Sequence, residues 1–427
     1  MTISELYSIF LAHPSVQTDT RKLQAGDIFF ALKGPSFNGN QFAQKAIDSG
    51  AAYAVIDEKA FEIPGKTILV DDVLTTLQQL AKHHRMQFSH IPFLAITGSN
   101  GKTTTKELIH AVLASAYTTY TTEGNLNNHI GVPLTLLKIK ADAQMAIIEM
   151  GANHQKEIAG YCTYALPTHG LITNCGKAHL EGFGGVEGVR KGKGELYDHL
   201  RAHQGTAFVM DDYDYLHEMS KGIPEIVFYG TQKGTVTGVI EKSEPFAEVK
   251  ITKGAELGTI RTQLVGDYNL PNILAAVAIG KYFKVPDETI KNAIESYTPS
   301  NSRSQLVQKG TNSIILDAYN ANPSSMKLAI ENFARSVSGK KILLLGAMAE
   351  LGEESIEEHQ AIIDLIGKYE WETVILVGGD FGKIKHPYIQ MNSAKEVSAW
   401  LKENNPEQAH LLVKGSRSMK MEEALND

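Results

Sequence analysis

Cysteine is nearly absent from this 427-residue chain: only Cys162 and Cys175 occur. No disulfide framework can therefore hold the fold, which points to a reducing compartment. No apolar run is long enough to span a bilayer and no secretory leader is legible, so the chain reads as cytoplasmic, without membrane insertion. Basic residues do not outnumber acidic ones. The 41 Lys and Arg against 48 Asp and Glu leave a formal net charge of −7, which argues against a nucleic-acid binder, because neutralising a phosphate backbone needs clustered cations. A local basic site for one nucleotide stays compatible with that balance. Low-complexity tracts and internal repeats are also missing. What remains is an ordinary soluble composition, 43% hydrophobic and 21% charged, in a chain too long for one core, so two to four domains are expected.

Periodicity and turn residues divide the chain into three α/β domains at residues 1–90, 91–298 and 299–427. In the first, apolar strands are expected at Ile28 to Leu32, Ala52 to Ile56 and Thr67 to Val70, with helices near Gln41 to Asp48 and from Val73 to Met86. The second opens with the strand Phe93 to Thr97. Further strands are expected at Ala146 to Met150, around Leu171–Thr173, and near Ala207–Val209 and Ile226–Phe228, and a helix from Asn269 to Phe283 closes it. The turn-rich stretch Tyr297 to Ser302 reads as a hinge. Beyond it, strands at Ile314–Leu316, Ile342–Leu345, Val374–Val377 and Leu411–Val413 alternate with helices. Such alternation implies parallel sheets covered on both faces, with ligands at strand C-termini and between domains.

The run Gly98-Ser99-Asn100-Gly101-Lys102-Thr103-Thr104 carries the clearest chemistry. It follows a strand and precedes a helical pattern, as a phosphate-binding loop requires. Glycines let the backbone approach, the helix N-terminus supplies N–H donors, and Lys102 supplies positive charge for β/γ phosphates. The Thr103 hydroxyl is placed to hold Mg²⁺. The usual first glycine is missing, since Ile96 stands in its place. A second Mg²⁺ group is expected at the tip of a neighbouring strand, where Glu149 ends the apolar run Ala146-Ile147-Ile148. A carboxylate there is costly unless it is paired or metal-bound.

A second signal lies in Glu187 to Leu200, which reads as a helix. Lys193 falls on the apolar stripe of Val189, Leu196 and Leu200, whereas Lys191 does not. A buried Lys must deprotonate, find an acid or be modified, and a neutral amine can add CO₂ to give a carboxylate-like carbamate. The alternative is a side chain that snorkels to solvent. Gly192 and Gly194 flank it at about 1 kcal/mol each in a helix interior, which implies close packing there. His179 precedes this helix.

Together these features resemble the Mur ligases of bacterial cell-wall synthesis. The tightened Thr-Gly-Ser-Asn-Gly-Lys-Thr loop is typical of that superfamily. Five further segments resemble its branch that adds a dipeptide: Gly124-Asn125-Leu126-Asn127-Asn128 with Gly131-Val132-Pro133; Glu149-Met150-Gly151-Ala152-Asn153-His154; His179-Leu180-Glu181-Gly182-Phe183-Gly184; Met348-Ala349-Glu350-Leu351-Gly352; and Lys414-Gly415-Ser416-Arg417-Ser418. The likeness runs in order along essentially the whole chain.

The resemblance implies an N-terminal uridine-nucleotide domain, a central P-loop ATPase domain and a Rossmann-like C-terminal domain binding the incoming dipeptide. It implies an ATP- and Mg²⁺-dependent ligase, a monomer, joining D-alanyl-D-alanine to UDP-N-acetylmuramoyl-tripeptide through an acyl phosphate. Lys102 and residues 98–104 would serve ATP, and Thr103, Glu149, His179 and a carbamylated Lys193 the metal. Asn269 and Asn272 resemble adenine-side asparagines, Asp317 the ribose-side acid, and Arg303 an arginine that reaches the phosphates from the third domain. Asn127 and Asn128, and Lys414, Ser416 and Arg417, would face substrate; the last three could grip the dipeptide carboxylate. Thr20 and Arg21, in Thr-Asp-Thr-Arg, resemble the uridine-diphosphate motif. The chain departs from the family at Tyr268, where His is commoner, and at Asn38-Gly39-Asn40, where Asp-Gly-His is commoner. A MurE-type ligase adding a free amino acid, a folylpolyglutamate synthase-like ligase and a non-ligase P-loop ATPase are the alternatives.

Overall fold

The computed structural model describes residues 1–300, 302–336 and 338–426. Asn301, within the expected hinge, lies outside the described residues. Three large sheets follow one another along the chain, besides a two-stranded hairpin of Lys33–Gly34 and Phe37–Asn38 in the first domain.

The first sheet is wholly parallel, in the order Val16–Gln17, Ile28–Phe30, Tyr53–Ile56, Thr67–Leu69. Its helix Val73–Met86 starts where expected because Asp72 accepts the Thr75 N–H as N-cap. A helix absent from the sequence reading, Ile3–Ala12, packs beside it and is closed by a capping box between Thr2 and Glu5.

The central sheet has nine strands. Phe93–Thr97 lies between His169–Ile172 and Met145–Glu149, all parallel. Their C-terminal ends therefore converge on one edge, which is where an open α/β sheet binds ligands. The sequence reading missed the far side, where Val236–Lys242 joins the sheet in parallel and Glu248–Lys253 and Thr259–Arg261 continue it as an antiparallel meander. The apolar helix Leu270–Tyr282, buried nearly all round, packs on the helix Lys102–Ala114. It does not close the unit as expected: Asp287–Ser296 follows and packs on the same helix.

The third sheet runs Gln305–Lys309, Asn312–Asp317, Ala409–Lys414, Lys340–Gly346, Thr373–Val377, Ile389–Met391. The first strand is antiparallel to the second, a hairpin that strand–helix alternation did not foretell, and the rest are parallel.

The two domain junctions differ in chemistry. Between the first and second domains, Arg85 is 3% exposed and its guanidinium donates to the carbonyls of Ala165, Leu166 and Phe88, with Cζ 3.5 Å from the Phe93 ring centroid. Burial pushes its pKa down to about 10. Arg85→Met should lower unfolding stability by about 3 kcal/mol, because it strands buried carbonyls that the guanidinium satisfies. Urea denaturation followed by circular dichroism checks this, and an unchanged midpoint would refute it. The third domain meets the second through polar side chains as well as through the shared apolar cluster. Asn322 Nδ2 donates to Asn100 Oδ1 (2.7 Å), the Lys177 N–H donates to Ser324 Oγ (2.9 Å), and Tyr268 Oη lies 3.3 Å from Ser304 Oγ. Lys177 also pairs with Glu358.

Candidate active site

At this polar junction lies a cavity of about 920 Å³. The phosphate-loop residues Ser99 to Thr104 line one side and the third-domain residues Arg303, Asp317, Lys414 and Arg417 the other.

The loop's shape follows from its residues. The strand Phe93–Thr97 runs unbroken through Ile96, which is fully buried and pairs with Glu149, so no glycine is needed there. Gly98 (φ +141°) is required, since a Cβ would sit 2.0 Å from Thr173 Oγ1. Gly101 (φ +80°) is the N-cap of the helix Lys102–Ala114, and a Cβ on it would meet Asn272 Oδ1 at 2.7 Å. Asn174 was not singled out from the sequence, yet it staples the loop. Its backbone carbonyl accepts the Ser99 N–H and its Oδ1 accepts the Asn100 N–H. Its position, just past a buried strand that neighbours the loop strand, was the available signal.

Lys102 is curled onto its own loop, with Nζ donating to the carbonyls of Gly98 (2.7 Å) and Ser99 (3.1 Å). Burial pushes its pKa down to about 8; the Glu149 carboxylate opposes this and Arg303 adds to it. Arg303 and Lys102, from different domains, are thus electrostatic neighbours. The Arg303 guanidinium lies over the Tyr319 ring, 3.6 Å from its centroid, and that of Arg417 lies 5.9 Å from the same centroid. Tyr319 had no role in the sequence reading, because nothing local marks a ring that two distant arginines share.

Glu149 is 1% exposed. Its Oε1 accepts from Thr103 Oγ1 (3.2 Å) and Asn127 Nδ2 (2.8 Å), while Oε2 is buried with no hydrogen-bond partner among the described residues. An orphaned carboxylate oxygen beside a threonine hydroxyl suits a divalent cation. Asn127, expected to face substrate, lines the cavity but spends its amide on Glu149. Asn128 also lines it, and its Oδ1 accepts the N–H groups of Ile130 and Gly131 at the start of the helix Gly131–Leu137.

Lys193 is 1% exposed on the helix Val186–Ala202, while Lys191 is exposed. Among the described residues, no carboxylate pairs with it. Its Nζ donates to the Ala152 carbonyl (2.9 Å) and lies 4.8 Å from the Phe183 ring centroid. Gly192 explains its own presence, since a Cβ there would be 2.3 Å from the Phe183 ring. Burial first, then the Lys102 charge, pushes the Lys193 pKa down to about 7. His179 sits at the cavity edge with Nδ1 2.5 Å from Glu350 Oε2, a close contact off the line of a hydrogen bond. Among the described residues, no group of three or more His, Cys, Asp or Glu is arranged to hold a metal, so any metal here depends on these pairs and on non-carboxylate ligands.

Of the other expected site residues, Asn269, Asn272, Asp317, Lys414 and Arg417 also line the cavity. Asn269 and Asn272 are buried and bonded to each other, and Asn272 Oδ1 also accepts from Thr105 Oγ1 (2.9 Å), so they brace the loop from beneath. Lys414 is 2% exposed, with Nζ 2.5 Å from Asp317 Oδ2. The presumed dipeptide grip and ribose acid are therefore one ion pair, formed because the two residues are register partners on adjacent strands. Ser416 donates to the Ala347 carbonyl (2.7 Å) and is buried away from the cavity lining, and Arg417 reaches both the cavity and Glu422. Thr20 and Arg21 lie in the first domain, outside this cavity, where Arg21 pairs with Asp19.

Comparison with known proteins agrees along the whole length. Residues 14–85 match the model described as Mur ligase family, catalytic domain, residues 96–280 the Mur ligase middle domain, and residues 302–417 the Mur ligase, glutamate ligase domain. The chain is 35% identical to the UDP-N-acetylmuramoyl-tripeptide–D-alanyl-D-alanine ligase of Bacillus subtilis, over 100% of this chain and 97% of that protein. With the Escherichia coli ligase of the same name it shares 34% identity over 99% and 95%. A crystal structure of MurF from Acinetobacter baumannii superposes with a TM-score of 0.86 at 31% identity, covering 96% of this chain and 91% of that one. A Thermotoga maritima MurF ligase in complex with ADP gives 0.86 at 26%, covering 97% of each.

Proposed function

This chain belongs to the Mur ligase family, and we propose that it is an ATP-dependent ligase that adds D-alanyl-D-alanine to UDP-N-acetylmuramoyl-tripeptide in peptidoglycan precursor synthesis. The observation that carries this reading is the meeting of Lys102 and Arg303, from two domains, beside one cavity that Lys414 and Arg417 also line.

Amide formation from a carboxylate is uphill in water, so the carboxylate is first activated. The terminal carboxylate of the tripeptide attacks the γ-phosphate of ATP, giving an acyl phosphate and ADP. The amine of the dipeptide then attacks the acyl carbon, the tetrahedral intermediate expels phosphate, and the amine proton is lost. Two anions must meet in the first step. Lys102 and Arg303 offset that repulsion, and the loop N–H groups hold the phosphates in line. Arg417 and the Lys414–Asp317 pair face the incoming dipeptide. Burial at the junction keeps water from the acyl phosphate.

Mg²⁺ suits Glu149 and Thr103, where the orphaned Oε2 needs a cation, and a second ion is proposed at His179 with a Lys193 carbamate. Bound there, the cations would neutralise charge on the phosphates and the acceptor carboxylate. Lys193 suits the modification because it is buried without an acid. CO₂ adds to the neutral amine, releasing one proton, and with a pKa of about 7 that amine is populated at neutral pH and is lost as pH falls below it. The uridine end of the substrate belongs at Thr20 and Arg21 in the first domain. The enzyme acts in the cytoplasm as a monomer, and no helix among the described residues is long and apolar enough to cross a membrane.

The deciding experiment is phosphate release with UDP-N-acetylmuramoyl-tripeptide, with and without D-alanyl-D-alanine. Release should require both substrates. Equal release without the dipeptide would sink the ligase reading in favour of a plain ATPase.

A further inference from the structure

Where the loop around His179 meets the third domain, two strained backbones face each other. His179 has φ +54° and Glu350 has φ +62°, a left-handed region that any residue with a Cβ avoids. Strain of this kind persists where the surroundings hold it for a purpose. Here it brings Glu350 Oε2 to 2.5 Å from His179 Nδ1, a ring nitrogen that is fully buried and has this carboxylate as its facing group. The two loops touch again beside it. The Glu181 N–H approaches the Glu350 carbonyl at 3.4 Å, and Gly352 (φ +56°) lies so near that an added Cβ would be 3.1 Å from that of Glu181. Glu350 lines the main cavity and also a smaller one of about 380 Å³ that it shares with His154, His179 and Glu181.

A histidine that binds a metal through one nitrogen is usually oriented by a carboxylate on the other. We propose that Glu350 is a positioning residue for His179: reaching across the domain boundary, it holds the ring by Nδ1 and leaves Nε2 for the cation. This rests on the reading of His179 as a metal ligand. It adds that the site in the second domain is completed by the third, so cation binding and domain seating are coupled. The carboxylate that matters is absent from the second domain's own sequence.

The test uses the full chain and Mn²⁺ as the probe, followed by electron paramagnetic resonance of the free ion in bicarbonate buffer. ADP affinity at the parent value certifies the fold of each variant. His179→Ala and Glu350→Ala should each weaken Mn²⁺ binding about tenfold or more, the usual cost of losing a ligand or its orienting carboxylate. Glu350→Gln, which keeps an amide oxygen facing Nδ1, should recover to within about threefold. Glu358→Gln breaks the neighbouring Lys177 contact between the same domains without touching His179, and should stay near the parent. Parent-like binding by Glu350→Ala, with loss in His179→Ala, would overturn the positioning role. Parent-like binding by His179→Ala would overturn the ligand reading beneath it. If Glu350→Gln is as weak as Glu350→Ala, Glu350 is itself a ligand and the inference fails. Equal loss in Glu358→Gln reduces the contact to domain seating and also defeats it.

Discussion

Lys193→Ala is expected to lower turnover by about 10² to 10³-fold, the scale of removing a preorganised charged group or metal ligand from a buried site. It should then regain part of that activity when acetate or another short carboxylic acid is added. The rescue is the informative half. A snorkelling lysine would leave the mutant near wild type, but this side chain is 1% exposed, with its nitrogen against a carbonyl and an aromatic ring. A lysine that served only packing would leave a defective mutant that no acid repairs. A carbamate reading requires both the loss and the repair, because the truncated side chain leaves room for a carboxylate to stand where the modified amine ended. Unchanged turnover in the mutant, or a loss that acids never relieve, would end the carbamate proposal.

Arg303→Ala should reduce turnover by about 10³-fold, as loss of an arginine that acts on a transferring phosphoryl group does, while changing ATP affinity by about tenfold or less. The asymmetry follows from position. Lys102 and the loop N–H groups belong to the second domain and can hold the nucleotide alone, whereas Arg303 comes from the third and rests on Tyr319. It is suited to charge that develops on transfer. Nucleotide titration alongside steady-state kinetics separates the two effects. Equal losses in affinity and turnover would make Arg303 an ordinary binding residue.

What could be read from the sequence was whatever is encoded locally. The helix Val73–Met86 has its cap in Asp72, the strand Phe93–Thr97 is an apolar run against a glycine loop, and Lys193 betrays its burial by spacing alone. The antiparallel strands from Val236 to Arg261 escaped notice because their outer positions are exposed and rich in Lys, Glu and Gly, which blurs alternation. Partnerships across the fold were beyond reach for a different reason. That Asp317 faces Lys414 is a matter of strand register, that Asn127 serves Glu149 depends on how a loop lies against a strand end, and that Glu350 finds His179 requires two domains to dock. The residues were visible in each case, but their pairing is a property of topology.

The contrast between the two junctions has a consequence for how the molecule comes apart. The first two domains share an apolar core pinned by Arg85, so they should melt as one cooperative body, although the same core also reaches third-domain residues such as Met326, Ile330 and Phe333. The third adds to its share of that packing hydrogen bonds and ion pairs that water can replace, and should be the first to loosen while the others stay folded. Thermal unfolding of this enzyme is then a sequence of two transitions, and any single melting temperature assigned to it averages over both.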